Sequence, residues 1–299
     1  MKIDFANLFK EKGNWYKGVL HVHTTNSDGA LSPEAHALIY RKKGYNFLNF
    51  ADHNKVTNID TKGRILILPG VEFGFERYHL VALNFSEEID GEKFSHVNQI
   101  INYVKEKDGE VILAHPYWSS LTTQEVIELE GLLGLEVFNS TCLLSIGKGN
   151  NEIYWDMALE KGRRLLGFAN DDSHHHFNQH RPVDTGYSWL MVKSSSLTKS
   201  ALMESLRKGL FYSSCGPEFK GLEMQKDVIY VETSPVSSIT FIANSASGER
   251  FASPKRRLIK KAEYRIKGVD RYIRIQCEDR LSRSAWLNPI FCHSQTDYT

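Results

Sequence analysis

Cysteine is scarce in this sequence, and long apolar runs are absent. The 299 residues include four cysteines, which stand far apart and form no CxxC pair. This spacing predicts neither a zinc knuckle nor a disulfide framework, and it favours a reducing, cytoplasmic setting. No apolar run approaches the ~20 residues that cross a membrane, and residues 1–14 lack the apolar core of a signal peptide. We therefore expect no membrane partner.

Net charge is also small. Lys and Arg number 37 against 36 for Asp and Glu, so the overall balance indicates no class of partner. Residues 250–283 differ, because they hold twelve Lys or Arg and four Asp or Glu, a local balance of +8. Nucleic acid or another polyanion could bind there. Solvent-facing charges on alternating strand positions are the favoured interpretation, since few aromatic residues lie among them.

Apolar runs alternate with amphipathic segments between residues 16 and 198, which is typical of parallel strands joined by crossover helices. The predicted strands cover 18–22, 45–50, 65–68, 80–85, 111–114, 132–138, 164–169 and 188–192. The predicted helices cover 33–43, 94–107, 123–130, 152–161 and 197–208. Ser32 and Pro33 are typical of the N-cap and first position of a helix.

The pattern changes after Gly209. No helix is predicted there, and the alternation of apolar with polar residues indicates antiparallel strands. The predicted fold class is therefore α/β, with the parallel strands closed into a barrel or left open over residues 1–213. A small all-β domain, of the β-sandwich kind, is predicted over residues 214–299.

The segment HVHTTNSDG, residues 21–29, follows the first apolar run. His21 and His23 would leave a strand on the same side, because strand side chains repeat every two residues. Asp28 lies in a turn from which its carboxylate can reach back. Imidazoles and a carboxylate suit Zn, Fe or Mn. Taken alone, the segment is more typical of an ordinary polar strand end.

Histidine and acidic residues recur where the later apolar runs end. In chain order they are Asp52, His53, Glu72, His79, His115, Glu136, Asp171, Asp172 and His174. In a parallel barrel the C-terminal strand ends meet on one face. Burying so many polar groups is costly unless something pairs with them, and metal ions are the natural partner. Six histidines and three carboxylates exceed the needs of one cation, so two or three ions are predicted. These nine residues are His21, His23, Asp28, His53, Glu72, His79, His115, Asp172 and His174.

The ordered set HxHxxxSDG, DH, PGVE, HP and DxSH resembles the PHP (polymerase and histidinol phosphatase) superfamily over roughly residues 16–198. The resemblance implies a distorted (β/α)7 barrel with two or three divalent Zn, Fe or Mn ions. It also implies hydrolysis of a small phosphorylated substrate by a metal-activated hydroxide. The implied metal ligands are His21, His23, Asp28, His53, Glu72, His79, His115, Asp172 and His174, with Glu72 as the bridging carboxylate.

Several neighbouring residues receive supporting roles. Asp52 and Asp171 each precede an implied ligand and alternate away from it, so we predict that they hydrogen-bond an imidazole. Glu136 would point into the pocket in one strand register, and a structural ion pair is at least as favoured. For His176, a partly exposed loop position is favoured over a proton-donating role.

Residues 173–186 are predicted to form a loop at the rim of the pocket. From this loop His180 or His176 could protonate the leaving group, and Arg181 could hold a phosphate oxygen. Tyr117 and Trp118 either stack on an aromatic or nucleobase leaving group or pack beneath the rim, and the sequence favours neither.

The C-terminal region introduces an alternative substrate. Residues 209–217 and 284–290 resemble a PHP branch that includes carbamate hydrolases of the carbaryl-hydrolase type. This implies a carbamate or carboxylic ester as the alternative to a phosphoester. A binding protein with a structural metal is less favoured, because such a site is usually closed by four ligands. The metal, the exact substrate and the oligomeric state are left open by the sequence.

Overall fold

The structure, a computed structural model, describes residues 2–253 and 257–293 of the chain. Its helices are α1 (Pro33–Lys42), α2 (Val97–Glu106), α3 (Thr123–Ile127), α4 (Ser140–Ile146), α5 (Glu152–Glu160) and α6 (Lys199–Arg207). The first eleven strands are β1 (Lys2–Asp4), β2 (Asn14–Val19), β3 (Phe47–Asn49), β4 (Leu66–Leu68), β5 (Gly70–Phe75), β6 (Tyr78–Leu83), β7 (Glu110–Leu113), β8 (Gly134–Asn139), β9 (Leu166–Asn170), β10 (Trp189–Ser194) and β11 (Phe211–Ser214). The others are β12 (Phe219–Gln225), β13 (Val228–Val236), β14 (Ser238–Ala243), β15 (Gly248–Ala252), β16 (Ile259–Arg265), β17 (Tyr272–Glu278) and β18 (Ser284–His293). None of these helices is long and apolar enough to cross a membrane.

α-Helices form at all five predicted places, and the described residues contain one more α-helix and a short 3-10 helix at Gly91–Lys93. At the start of α1 the Ser32 hydroxyl accepts a hydrogen bond from the Ala35 backbone N–H at 3.3 Å, as expected of an N-cap. The unpredicted helix is α4, where Asn139 caps the start by accepting from the Cys142 N–H at 2.9 Å. Gly147 ends it in the left-handed region at φ 77°. Its seven residues are too few to give a helical periodicity in the sequence.

The first half of the chain forms a mixed α/β structure. β2, β3 and β4 are parallel, as are β7, β8 and β9. The prediction of parallel strands was wrong for two members, because β6 is antiparallel to both neighbours and β10 is antiparallel to β2. Glu76 and Arg77 alone connect β5 to β6, and a two-residue connection makes a hairpin rather than a crossover.

The strands of the expected barrel fall into two sheets. One contains β2, β3 and β4, and the other runs in the order β5-β6-β7-β8-β9. Single parallel bridges, Val22 with Ser173 and His53 with Glu72, connect the two sheets. Within residues 2–253 and 257–293 no continuous ladder closes either junction, so the mixed α/β class is confirmed and the distorted (β/α)7 barrel stays a prediction.

The C-terminal strands form two layers. β12, β13 and β16 make a three-stranded antiparallel sheet. β14, β15, β17 and β18 belong to a ten-stranded sheet that continues through β11 and β10 into β2, β3 and β4. Buried residues of both layers, including Ile229 and Ile273, share one apolar core. Because a sheet crosses position 213/214, the division into two domains at that point stays a prediction.

An acidic face of α5 contacts the C-terminal sheet. Three carboxylates spaced four residues apart, those of Glu152, Asp156 and Glu160, lie on this face. Asp156 pairs with the buried Arg274 through two hydrogen bonds, one of them 2.7 Å from Nη2 to Oδ2. Glu160 accepts from Arg271 at 2.6 Å. Several of the cations in the basic segment therefore bind within the molecule.

Candidate metal centre

The nine implied ligands lie together at one end of the α/β strands. His21 and His23 follow β2, His53 follows β3, Glu72 lies in β5, His79 lies in β6, His115 follows β7, Asp172 and His174 follow β9, and Asp28 lies in the loop after β2. Their nitrogen and oxygen atoms form four overlapping groups, and the atoms of each group lie within 4.8 Å of one another. The strand ends thus converge as the sequence predicts.

Glu72 lies at the centre of the cluster and is buried. Its Oε1 is 3.0 Å from Nδ1 of His79 and 3.4 Å from Nε2 of His115. Its Oε2 is 3.2 Å from both His23 and His53 and 3.3 Å from His21. Each carboxylate oxygen therefore faces a different set of imidazoles.

Two further carboxylates complete the cluster on either side. Asp172, buried, has Oδ1 3.2 Å from Nε2 of both His21 and His23. Asp28 is about half exposed, with Oδ2 3.3 Å from Nε2 of His174 and 3.6 Å from Nε2 of His53. The cluster therefore runs from a buried end near His21 to an open end near Asp28.

The donor set fits divalent cations. Donors at about 2.1 Å from a tetrahedral Zn²⁺ are about 3.4 Å apart, and the donor separations above run from 3.0 to 3.6 Å. The four groups are His23, Asp28, His53 and His174; His21, His23 and Asp172; His21, Glu72 and His115; and His53, Glu72 and His79. His21, His23, His53 and Glu72 each occur in two groups, so the four groups share ligands and are not independent sites.

Charge at the site is balanced between imidazoles and carboxylates. Burial opposes the charged form of His23, but hydrogen bonds with Asp172 and Glu72 outweigh it and raise the pKa to about 9. The pKa of His21 is likewise raised against burial by the charges of the same carboxylates. The pKa of Glu72 is lowered well below its usual range despite burial, since His21 is beside it. Cations bound there would replace these protons.

Glu136 points toward the cluster and holds His21. Its Oε1 is 2.8 Å from Nδ1 of His21, and its Oε2 accepts from the His115 backbone N–H at 3.0 Å. Asn139 and Asn170 also donate to this buried carboxylate, at 2.7 and 3.1 Å. With Nδ1–H donated to Glu136, Nε2 of His21 keeps its lone pair for a cation.

The predicted partners of Asp52 and Asp171 were wrong, because neither carboxylate bonds an imidazole among the described residues. Asp52 accepts from the Thr24 N–H, the Thr24 hydroxyl and the Ser27 hydroxyl, each at 2.7 Å, and from the Thr57 hydroxyl. Asp171 accepts from backbone N–H groups of the segment that leads into β10 and from the hydroxyls of Tyr40, Ser140 and Ser188. Both acids fix loops that carry ligands.

A cavity of about 330 Å³ opens at the cluster. Besides eight of the nine implied ligands, its lining residues are Trp118, Thr141, Cys142, Ser145, His176, Arg181 and Asp184. Two of the three predicted catalytic residues, His176 and Arg181, thus line the cavity. His180 does not, since it is exposed and its hydrogen bonds go to its neighbours Asn178 and Gln179.

Asp184 is a site residue that the sequence did not reveal. Its buried carboxylate accepts from the Ser173 hydroxyl at 2.7 Å, from the Thr141 hydroxyl at 2.8 Å and from the backbone N–H groups of His174 and His175. It therefore ties the loop after β9 to the start of α4. Asp184 lies in irregular structure and belongs to no spacing pattern, so no sequence signal pointed to it.

Two implied ligands have a strained backbone. His115 has φ 27° and Asp172 has φ 53°, both in the left-handed region that residues with a Cβ rarely adopt. Such strain concentrates at functional sites, where surrounding contacts hold it in place. Here the backbone and side chain of His115 are held by Glu136 and Ser119, the latter at 3.3 Å from Nδ1.

No family model and no curated protein matches the sequence. Among solved structures, the chain is similar to a two-domain protein of Bacteroides vulgatus containing a predicted PHP-like metal-dependent phosphoesterase, at 13% identity and TM-score 0.49, over 89% of this chain and 90% of that one. It is similar to a protein of Bifidobacterium adolescentis described as a candidate metal-dependent phosphoesterase, at 16% identity and TM-score 0.43, over 64% of this chain and 96% of that one. It is also similar to an amidohydrolase of Chromobacterium violaceum with bound sulfate and no metal, at 15% identity and TM-score 0.39, over 52% of this chain and 87% of that one. At these identities and TM-scores below 0.5, the likenesses to solved structures do not establish an activity for this chain.

Proposed function

We propose that this chain is a PHP-type metal-dependent hydrolase that cleaves phosphoric esters of small molecules. The observation that carries the proposal is the convergence of nine His, Asp and Glu side chains in overlapping groups around the buried Glu72, beside a cavity. A structural site is usually closed by four protein ligands, whereas an array of this size next to open space suits catalysis. The distorted (β/α)7 barrel and a cytoplasmic location, which the four free cysteines favour, are part of the same proposal.

The nine side chains would hold two or three divalent ions, with Zn, Fe and Mn all compatible with the donor set. When bound, these ions would supply an activated water and neutralise charge on the phosphate. The protein itself would orient the ligands through Glu136 and the loops through Asp52 and Asp184. No covalent nucleophile of the protein is needed in this chemistry.

Arg181 and His176 are the proposed substrate-facing residues. Within the described ranges the Arg181 guanidinium makes no ion pair with a carboxylate, although the residue lines the cavity. An arginine in that state is suited to donate two N–H groups to phosphate oxygens. His176, in the same loop, would donate a proton to the leaving oxygen.

The unpaired Arg181 also favours a phosphoester over the alternative carbamate or carboxylic ester. A phosphate carries negative charge that a guanidinium can bind, while a neutral carbamate offers it no charge. The segments that carry the carbamate-hydrolase resemblance do pair with each other, since Cys215 N–H donates to Ser284 at 2.9 Å. That pairing builds the sheet and lies outside the cavity lining.

The test begins with protein stripped of metal and reloaded separately with Mn, Fe or Zn. Phosphomonoesters, phosphodiesters, carbamates and carboxylic esters are then assayed with each form. We expect phosphoester hydrolysis to dominate, and Arg181→Ala to lower its kcat/KM by ~100-fold or more. Faster carbamate turnover that is insensitive to Arg181→Ala would favour the alternative function. Failure to bind any of the three metals would overturn the hydrolase proposal and leave a binding function.

A further inference from the structure

Trp118 stands between the ligand imidazoles and solvent. Its ring centroid is 5.1 Å from that of His115 and 5.7 Å from that of His79, in edge-on geometry. The residue lines the cavity, and 42% of its surface remains exposed. An indole in this position has apolar surface to offer to a ligand while its packing against two imidazoles holds it in place.

Other exposed apolar side chains adjoin cavity-lining residues in the chain. The described residues include eleven large hydrophobic side chains that are exposed. Four of them either line the cavity or adjoin a lining residue in the chain: Trp118 itself, Tyr117, Ile146 and Phe177. They come from the connection after β7, the end of α4 and the loop after β9. Isolated exposed hydrophobics are common on proteins, and of these four only Trp118 lines the cavity itself, so the inference rests on that residue.

The cavity therefore combines two kinds of surface. The imidazole and carboxylate cluster and the unpaired Arg181 are polar, and the indole of Trp118, next to His79 and His115, is apolar. Its volume of about 330 Å³ is at the low end of the range for small-molecule sites. That space admits a phosphate and one ring-sized group.

We infer that the substrate is a phosphoester whose esterified group carries an apolar ring, which seats against Trp118 while the phosphate lies at the ligand cluster. The phosphate half of this inference rests on the proposed function. The inference predicts discrimination between esters that differ in the ring alone.

Benzyl phosphate and ethyl phosphate make that comparison, because both release a primary alcohol and differ by a phenyl ring. With metal-loaded protein we expect kcat/KM for benzyl phosphate to exceed that for ethyl phosphate by ~10-fold or more, as burial of a ring provides. Trp118→Ala should reduce this ratio to below ~3, and Trp118→Phe should keep most of it. Tyr230→Ala removes an exposed aromatic residue outside the cavity and should leave the ratio unchanged. Metal content of each variant is measured in parallel to verify an intact site.

Binding of benzylphosphonate and ethylphosphonate, measured by calorimetry, separates the two proposals, since neither compound can be hydrolysed at its P–C bond. If no phosphate ester is hydrolysed but benzylphosphonate binds ~10-fold tighter in a Trp118-dependent manner, the ring site stands and the phosphoesterase proposal falls. If both esters are hydrolysed with equal kcat/KM, or if Trp118→Ala leaves the ratio unchanged, the ring site is overturned and the phosphoesterase proposal stands. Equal binding of the two phosphonates would likewise overturn the ring site.

Discussion

At the residue scale, Glu136 determines how His21 can bind a cation. The carboxylate is fully buried and holds Nδ1 of His21 at 2.8 Å, which leaves Nε2 facing Glu72 and Asp172. A carboxylate partner also makes the imidazole a stronger donor to metal. Glu136 thus acts on the cluster through His21 without being one of the implied ligands.

Glu136→Gln should weaken metal binding while keeping the fold. The amide preserves shape but lacks the negative charge that favours the Nδ1–H tautomer, so we expect the metal Kd to rise by ~10- to 100-fold. Competition with a chromophoric chelator measures this, and circular dichroism monitors the fold. Glu263→Gln, at an exposed position of β16, is the matched control. Identical affinities for wild type and Glu136→Gln would show that His21 needs no such partner.

Metal affinity should depend on pH in a defined direction. The pKa of His23 is raised to about 9 by its carboxylate partners, and that of His21 is also raised, so both imidazoles are protonated at neutral pH when no ion is bound. Ions must displace these protons, and apparent affinity should therefore rise as pH increases from 7 toward 9. Glu72 and Asp172, whose pKa values are lowered, stay ionised over this range and add no dependence.

Calorimetry in two buffers of different ionisation enthalpy measures the protons released on binding. We expect a net release of protons at pH 7, since the pKa values of four implied ligands, His21, His23, His79 and His174, are raised. A binding enthalpy independent of the buffer would contradict this expectation.

The convergence of the implied ligands could be predicted from the sequence because most of them follow or occupy a strand, and strand ends meet at one end of such a fold. The hydrogen-bond partners of Asp52 and Asp171 could not be predicted from the sequence. Asp52 bonds Thr24, Ser27 and Thr57, and these residues come together only when the loop after β2 folds back. His180 was grouped with Arg181 by proximity in the chain, and loop geometry directs it away from the cavity.

At the scale of elements, α5 joins the α/β strands to the C-terminal sheet. Its spacing of carboxylates at every fourth residue puts Asp156 against Arg274, a guanidinium with 2% exposure. A buried cation without its partner is costly, whereas the intact pair contributes modestly to stability. Removing only one member of the Asp156–Arg274 pair should therefore weaken the contact between α5 and the C-terminal sheet.

Asp156→Ala should lower the free energy of unfolding by about 3 kcal/mol, since it leaves the buried Arg274 uncompensated. Replacing both partners with apolar residues, Asp156→Leu with Arg274→Met, should restore most of that loss. Urea unfolding monitored by tryptophan fluorescence provides the measurement. Glu204→Ala breaks the exposed pair with Lys208 and is expected to leave stability unchanged. A double variant less stable than Asp156→Ala would argue against the desolvation account.

Element prediction succeeded where periodicity is strong and failed where direction depends on connections. The helices and strands before β11 mostly lie where the sequence predicts them, but apolar pattern does not reveal whether a strand runs parallel or antiparallel to its neighbour. The Glu76–Arg77 turn reverses β6. Residues 70–75 form β5 but were not predicted as a strand, since the acidic Glu72 interrupts their apolar pattern.

At the scale of the whole molecule, a ten-stranded sheet runs through both predicted domains. β11 pairs with β10 on one side and with β18 on the other, and β1 at the start of the chain pairs with β18 near its end. Hydrogen bonds and an apolar core thus connect residues far apart in sequence. The change of pattern after Gly209 was visible in the sequence, but pairing between distant strands was not.

Thermal unfolding of the full chain should follow one cooperative transition. The ten-stranded sheet and the contacts of α5 join the two predicted domains, so unfolding of either one would expose buried surface of the other. Differential scanning calorimetry should give equal calorimetric and van't Hoff enthalpies. Two resolved transitions would indicate that residues 1–213 and 214–299 unfold as separate domains after all.

The hydrogen bonds of Asp52 have a further consequence for how the protein acquires its ions. They fasten the segment that bears Asp28 through the Thr24 amide and the hydroxyls of Thr24 and Ser27. A dialysed apoprotein should accordingly keep its fold and bind ions again when metal salts are added back. Zinc, iron and manganese would then exchange in the folded state, and the ion recovered with a preparation would reflect the growth medium as much as any preference of the polypeptide.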